Sequence, residues 1–276
     1  MTGEPGPGPA APPLRSIPGR LWTALAQSHR RLLLLDYDGT LSDLVAERGR
    51  AVPRADSVRL LRRIHDEPSC AIAIVSGRPV SELQALLGEP PFALIGEHGW
   101  ESVVPGGDVR RLPLSPAVAE RLETATALLR SRLPVERIER KRTAVALHVR
   151  GLPDLEARRV TELASAVWTP LCVPGQLEVR PFRAGFEFRA LGQDKGRVVQ
   201  DLLAGESPGA FAVFVGDDET DEDAFDAVRE TGFGVRVGHP NEPTLATAWL
   251  DDPEAVMEFL AEWWRIVAAG RPPGPG

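Results

Sequence analysis

The feature that most constrains the fold of this chain is a series of short apolar segments, each ending at a glycine or a polar cluster. These segments cover residues 32–35, 71–75, 92–95 and 211–215. Helical patterns separate most of them, for example over residues 57–65, 80–87 and 197–203. A continuous apolar run is typical of a strand buried on both faces, and alternation with helices indicates an open, mostly parallel sheet. The sequence therefore predicts an α/β fold.

The alternation stops between about residues 107 and 188. This stretch holds helix candidates over 116–132 and 154–167 and strand candidates over 144–149, 177–180 and 185–190. The order predicts a small α+β unit inserted into the larger domain. The core would then consist of residues 21–106 and 189–269, with the insertion covering 107–188. Residues 1–20 and 270–276 are rich in proline and glycine, and we expect both to be disordered tails.

Composition excludes several classes of partner. The 276 residues carry a formal net charge of −7, which argues against broad nucleic-acid binding. No stretch approaches the roughly 20 apolar residues that span a bilayer, and the N-terminus lacks the pattern of a secretory signal. We therefore expect a cytoplasmic protein that binds a small molecule and neither a membrane nor nucleic acid.

Two acidic residues follow the first apolar segment, in LLLLDYDGT. Asp36 and Asp38 lie two residues apart, so in an extended backbone their side chains point the same way, and Gly39 permits a tight turn. Two carboxylates in one pocket can act as a nucleophile and as a general acid and base. A turn with helix-capping aspartates accounts for the same pattern, and these residues alone do not decide between the two.

A second acidic strand end occurs in FAVFVGDDETDEDAF. Adjacent buried carboxylates at Asp217 and Asp218 repel each other and favour a cation, for which magnesium is the natural candidate. The acids that follow, Asp221, Glu222 and Asp223, are also typical of a helix N-terminus.

Two further segments offer groups that suit a phosphate. In AIAIVSGRP, the hydroxyl of Ser76 and the backbone amides beside it lie at the start of a helical pattern. In GQDKG, Lys195 is one of only two lysines in the chain and lies just ahead of a helix. Neither segment is specific alone, since serine often caps helices and an isolated lysine is usually solvated.

Taken in this order, the segments DYDGTL, SGRP, DKG and GDDETDEDAF resemble the four motifs of the haloacid dehalogenase-like phosphohydrolases. Within that superfamily, GDDxTDEDAF resembles the trehalose-6-phosphate phosphatases. The resemblance runs from about Arg31 to the end of the 230s. It implies a Rossmann-like haloacid dehalogenase core with a mostly parallel sheet and an inserted α/β cap domain that closes over the substrate.

The resemblance also implies roles for individual residues. Asp36 would attack phosphorus and become an aspartyl phosphate, and Asp38 would act as the proton shuttle. Magnesium (Mg²⁺) would be held by Asp36, the Asp38 backbone carbonyl and Asp217, with help from Asp218. The phosphoryl oxygens would be bound by Ser76, Gly77, Arg78 and Lys195.

In the insertion, ERKRTAVALHVR resembles the cap pattern E-x-K followed by a short strand ending in H-x-R. By that match, Glu139, Lys141 and Arg150 would contact sugar hydroxyls, although a basic, solvated turn before an edge strand is the simpler alternative. The segment GEHG, with Glu97 and His98, resembles a family segment near the cap hinge, and both residues are candidate substrate contacts.

The family also carries a glutamate in an E-x-[RK]-P stretch shortly before the motif lysine. Glu178 in LEVRP matches the letters but lies far from Lys195. Glu187 in FEFRA has the expected spacing, although Ala190 replaces the proline. We predict that Glu187 contacts the substrate, because distance along a strand decides which site a side chain reaches.

The expected activity is Mg²⁺-dependent hydrolysis of trehalose 6-phosphate to trehalose and phosphate, and the resemblance implies a functional link to a trehalose-6-phosphate synthase. A related phosphatase, acting on sucrose phosphate or a glycosyl phosphoglycerate, would share the motif residues and differ in the cap. A catalytically silent regulatory module is the alternative from a different class, because a fold alone does not imply activity.

Overall fold

The structure of the chain is a computed structural model that describes residues 17–45, 48–182, 185–238 and 243–269. Its strands are β1 Arg31–Leu35, β2 Cys70–Val75, β3 Ala93–Gly96, β4 Glu101–Val103, β5 Arg110–Arg111, β6 Ile138–Arg140, β7 Ala144–His148, β8 Leu177–Phe182, β9 Gly185–Ala190, β10 Phe211–Gly216, β11 Gly232–Val237 and β12 Ala248–Leu250. Its α-helices are α1 Gly19–Gln27, α2 Ala55–His65, α3 Val80–Leu87, α4 Pro116–Arg130, α5 Asp154–Trp168, α6 Lys195–Ala204, α7 Glu222–Val228 and α8 Pro253–Ala269.

The larger sheet has the strand order β12-β11-β10-β1-β2-β3-β4-β5. From β12 to β3 all neighbours are parallel, and β4 and β5 continue the edge in antiparallel pairing. This mostly parallel sheet confirms the α/β prediction. Among the parallel neighbours, β1 and β2 connect through α2, β2 and β3 through α3, and β10 and β11 through α7.

Burial of β1 on both faces explains its four consecutive leucines. Leu33 and Leu35 pack into a cluster with residues of α2, α3 and α8, whereas Leu32 and Leu34 pack into a second cluster with residues of α6 and α7. Successive side chains of a strand point to opposite faces, so a strand between two helical layers needs apolar residues at every position.

The smaller sheet is antiparallel, with the order β6-β7-β9-β8. One face packs against α4 and α5, with the rings of Trp168 and Phe188 stacked at 5.9 Å. The other face carries polar side chains at alternate positions, and it faces the carboxyl ends of the parallel strands. We call this sheet together with α4 and α5 the cap.

The boundaries of three segments differ from the sequence prediction. α1 begins at Gly19, inside the predicted tail, because Leu21 and Leu25 lie one helical turn apart and are both buried. β5 pairs with β4 in the larger sheet, so the inserted segment starts after Arg111 and not at residue 107. β9 continues to Ala190, two residues past the predicted end of the cap.

β6 was not predicted, since its residues are mostly polar and a one-sided edge strand gives no apolar run. The predicted tail residues 1–16 and 270–276 lie outside the described part of the chain. Among the helices that the structure describes, none is both long and apolar enough to cross a membrane.

Candidate active site

The site begins where three neighbouring parallel strands end. Asp36 follows β1, Asp217 follows β10 and Ser76 follows β2. The register aligns Leu35 of β1 with Val215 of β10 and with Ile74 of β2, so the three polar residues emerge at one edge of the sheet. The carboxyl edge of an open parallel sheet is where such folds bind ligands.

Three carboxylates converge at this edge. Asp36, Asp217 and Asp221 each place one oxygen within 4.8 Å of the other two, and all three residues are buried. Gly39, with φ of 75°, gives Asp217 its room, since a Cβ there would lie 2.1 Å from the Asp217 Oδ2 atom. Gly216 does the same for Asp221, whose Cγ would lie 2.3 Å from such a Cβ. The two glycines therefore allow the acids to pack against the backbone.

Asp221 was not predicted as a site residue, because acids at a helix start are common. Asp221 ends the 3-10 helix Glu219–Asp221, and this turn brings its carboxylate back toward Asp217. The backbone amide of Asp218 donates to Asp221 Oδ2 at 2.8 Å. Asp218, the predicted metal ligand, also lines the pocket, but its carboxylate accepts from the Glu219 amide at 2.7 Å. In the described residues, the group of three carboxylates contains Asp221 and not Asp218.

Lys195, the first residue of α6, lies among these acids and is itself buried. Its Nζ lies 3.0 Å from Asp36 Oδ1 and 2.6 Å from Asp221 Oδ1. Burial opposes the charge of Lys195, but Asp221 and Asp36 outweigh it and raise the pKa of the ammonium. Burial, together with the neighbouring carboxylates, raises the pKa of Asp36, which Lys195 partly offsets. One ammonium among three buried carboxylates leaves a surplus of negative charge that a divalent cation would neutralise.

The guanidinium of Arg78 forms a bidentate pair with the carboxylate of Asp38. Its Nε and Nη2 donate to the two Asp38 oxygens at 2.7 and 2.6 Å, its Nη1 donates to Glu82 at 3.1 Å, and Tyr37 lies beneath it with the ring centroid 5.4 Å away. Arg78 was predicted to bind phosphate. That role stays a prediction. In the structure its guanidinium donates to the carboxylates of Asp38 and Glu82, and the pairing orients Asp38.

The remaining predicted phosphate contacts lie on the pocket wall. Ser76 is buried beside Asp36, and its Oγ accepts from the Arg78 amide at 3.2 Å. Gly77 is packed under the imidazole of His98, where a Cβ would lie 2.6 Å from Nε2. Together with Lys195, these residues surround the space next to Asp36.

The cap supplies the opposite wall of the pocket. Glu187 accepts from Lys141 Nζ at 2.7 Å, and its other oxygen lies 3.5 Å from His98 Nε2. Burial alone would raise the pKa of Glu187, but Lys141 and His98 lower it well below its usual value. Burial lowers the pKa of His98 to about 4, so its imidazole is neutral near pH 7. All three side chains line the pocket.

Glu187 lines the pocket, which distinguishes it from Glu178, the other glutamate that matches the family pattern. Glu178, on the neighbouring strand, accepts from Arg189 Nε at 2.9 Å and is not among the described residues that line the pocket. The chain spacing that favoured Glu187 thus agrees with its place on the wall.

Glu97 was predicted to contact substrate, and this stays a prediction. Its carboxylate accepts the amides of Arg142 and Thr143 at 3.1 and 2.9 Å, and also the Thr143 hydroxyl. It is buried and, among the described residues, is not part of the main pocket wall. Glu97 and His98 both have positive φ, 45° and 55°, which turns the chain sharply after β3. Glu97 therefore fastens the loop that carries Lys141 to the core.

Three more cap residues complete the wall. His148 lines the pocket, and its Nε2 lies 2.8 Å from Glu139 Oε2. Glu139, predicted to contact the sugar, is itself not among the described residues that line the pocket. Arg150 also lines the pocket and donates to the Val45 carbonyl of the core at 2.7 Å. Arg180 Nη1 lies 2.6 Å from Asp223 Oδ2, and this ion pair is a second contact between the cap and the core.

Comparison with known proteins agrees with this geometry. A family model described as trehalose-phosphatase matches residues 34–254. The trehalose-phosphate phosphatase of Mycobacterium marinum is 34% identical over 241 residues, which cover 83% of this chain and 60% of that protein. The bifunctional trehalose-6-phosphate synthase/phosphatase of Thermoproteus tenax is 34% identical over 245 residues, 88% of this chain and 33% of that protein.

A solved structure, the C-terminal domain of the C. albicans trehalose-6-phosphate phosphatase, superposes with a TM-score of 0.83 at 26% identity. The match covers 93% of this chain and 99% of that one. The chain spans about 60% or less of the two curated relatives. The family match covers most of the chain and includes every strand end of the site, and from it we conclude that the chain belongs to the trehalose-phosphatase family.

Proposed function

We propose that the chain is a Mg²⁺-dependent phosphatase that hydrolyses trehalose 6-phosphate to trehalose and phosphate through an aspartyl-phosphate intermediate. One observation carries the proposal: Asp36 is held by Lys195 among buried carboxylates, at the floor of a pocket whose other wall is the polar face of the cap. The activities named for the relatives support it.

Asp36 is the nucleophile of the proposed reaction. Its carboxylate oxygen bonds to phosphorus while the bond from phosphorus to the sugar oxygen breaks. Asp38 protonates the departing sugar oxygen, a step for which Asp38 must first release one Arg78 donor and take up a proton. Water then attacks the aspartyl phosphate, Asp38 takes its proton, and the acyl-phosphate bond breaks to release phosphate and restore Asp36. Lys195, 3.0 Å from Asp36, offsets the charge of the carboxylate and of the incoming phosphoryl group.

The donor set fits Mg²⁺. Three buried carboxylates with oxygens within 4.8 Å of one another suit a hard cation that takes oxygen ligands and shares them with substrate phosphate. Asp36, Asp217 and Asp221 would hold the ion, which would neutralise negative charge on the phosphoryl oxygens. The Asp38 carbonyl and Asp218, both predicted from the sequence, stay predictions.

A panel of sugar phosphates tests the function. We expect phosphate release from trehalose 6-phosphate, in the presence of Mg²⁺, to exceed that from sucrose 6-phosphate and from glucosyl phosphoglycerate. Preference for either of the latter would reassign the substrate, and no turnover of any member would indicate a regulatory module. The bifunctional relative from Thermoproteus tenax supports a functional link to a synthase that supplies the substrate.

The cap is expected to act in recognition of the sugar. In Glu187→Gln, we expect KM for trehalose 6-phosphate to rise about tenfold, because a buried charged partner of Lys141 and of the sugar hydroxyls is lost. Steady-state phosphate release measures the effect, with a small aryl phosphate as the substrate that does not reach the cap.

Glu178→Gln is the matched control, since Glu178 lies on the adjacent strand and pairs with Arg189. We expect it to change KM for trehalose 6-phosphate less than twofold. Equal effects of the two variants, or equal effects of Glu187→Gln on both substrates, would contradict sugar recognition by Glu187.

A further inference from the structure

An aromatic corner lies at one end of the cap wall. His148 of β7 and Phe182 of β8 both pair with Gly185 of the strand between them. Their rings meet across that strand with centroids 5.7 Å apart and planes at 78°. Both side chains line the pocket. Most other described residues of this wall are charged, so Phe182 and its neighbour Pro181 provide most of its apolar surface.

Gly185 lets β9 run close to the backbone of β7 at this end of the sheet. Its φ is 157°, and a Cβ at this position would lie 1.8 Å from the Leu147 carbonyl oxygen. No other residue fits there without moving the backbone.

The imidazole has a fixed orientation as well. Its Nε2 lies 2.8 Å from Glu139 Oε2, and Glu139 belongs to the edge strand β6. The carboxylate therefore holds one edge of His148, while the ring meets Phe182 at a steep angle. A corner fixed by its neighbours in this way loses little conformational entropy when a ligand binds.

We propose that Phe182, with His148 at its edge, is a stacking subsite for a pyranose ring of the substrate, an inference that rests on the proposed function. A pyranose presents C–H groups on its faces and hydroxyls around its rim. The charged groups of the wall, among them Lys141, Glu187 and Arg180, bind hydroxyls, whereas a ring face needs an apolar partner. Phe182 thus selects sugar phosphates over phosphates of flexible alcohols.

The test compares Phe182→Leu with Phe182→Tyr. Leucine keeps an apolar side chain but loses the flat face, and tyrosine keeps the face. We expect Phe182→Leu to raise KM for trehalose 6-phosphate about three- to tenfold with kcat within twofold, since an aromatic contact contributes on this scale. We expect Phe182→Tyr to stay within twofold of wild type, and neither variant to change kcat/KM for glycerol 2-phosphate, which has no ring.

Binding measured apart from chemistry completes the test. In an Asp36→Asn background, calorimetry should show the same three- to tenfold weaker binding of trehalose 6-phosphate for Phe182→Leu. The stacking role would be overturned if Phe182→Leu and Phe182→Tyr weakened the binding of trehalose 6-phosphate equally. It would also be overturned if Phe182→Leu lowered kcat/KM for glycerol 2-phosphate as much as for trehalose 6-phosphate. A wild-type protein that turns over glycerol 2-phosphate but not trehalose 6-phosphate would instead overturn the proposed function, and the panel shows this before any Phe182 variant is made.

Discussion

Asp36→Asn removes phosphate release from trehalose 6-phosphate, with an expected loss in kcat of about 10⁴-fold or more. The substitution keeps the shape of the side chain and takes away the anionic oxygen that bonds to phosphorus. The other two described carboxylates of the group, Asp217 and Asp221, follow β10 and not β1, so we expect neither to take the place of Asp36 as nucleophile. Phosphate release under saturating Mg²⁺ measures the loss.

Asp56→Asn is the control for this experiment. Asp56 pairs with Arg59 on the exposed side of α2, 2.7 Å away, and is not among the described residues that line the pocket. We expect wild-type kcat for it. Turnover of Asp36→Asn at more than a hundredth of the wild-type rate would rule out an aspartyl phosphate at this position.

The second large effect is expected at Asp221. In Asp221→Asn, we expect the apparent affinity for Mg²⁺ to fall on the order of 100-fold, the scale seen when groups around a metal are lost. Asp221 is fully buried, belongs to the group of three carboxylates and lies 2.6 Å from Lys195. Activity against Mg²⁺ concentration gives one measurement. The rise in melting temperature on adding Mg²⁺ gives another that does not depend on turnover.

Asp218→Asn is the matched variant, since Asp218 lines the same pocket but caps the short helix that follows it. We expect it to change the Mg²⁺ response less than fivefold. If Asp218→Asn abolishes the Mg²⁺-induced stabilisation and Asp221→Asn leaves it intact, the prediction from the sequence is right and the grouping of carboxylates in the structure is not the metal site.

The fold follows closely from apolar patterning. The helix predicted over residues 80–87 coincides with α3, and the strand over 185–190 coincides with β9, because their patterns are regular and end at glycine, proline or alanine. The strands β4, β5, β6 and β12 escaped prediction because each is only two or three residues long. β11 escaped it because two glycines and Arg236 interrupt its apolar pattern.

The site was only partly predictable. Asp36, Asp217 and Ser76 could be placed because each directly follows a buried strand, and the ends of parallel strands meet. Asp221 could not be placed in this way, since its position depends on how the chain turns after Asp217. The partners of Arg78 and Glu97 are remote in sequence, Asp38 in one case and Arg142 and Thr143 in the other. Motif letters carry no information on such pairings.

The ion pair between Arg180 and Asp223 would make the contact between cap and core sensitive to ionic strength. The side chains of the pair are 21% and 34% exposed, so dissolved ions reach them, and at 0.15 M ionic strength charges are screened over about 8 Å. The buried contact of Lys195 with Asp36 is shielded from the same ions. Added salt would therefore loosen the cap and hasten the escape of the sugar while the chemistry at Asp36 stays unchanged, so that turnover would depend on ionic strength wherever release of product limits it.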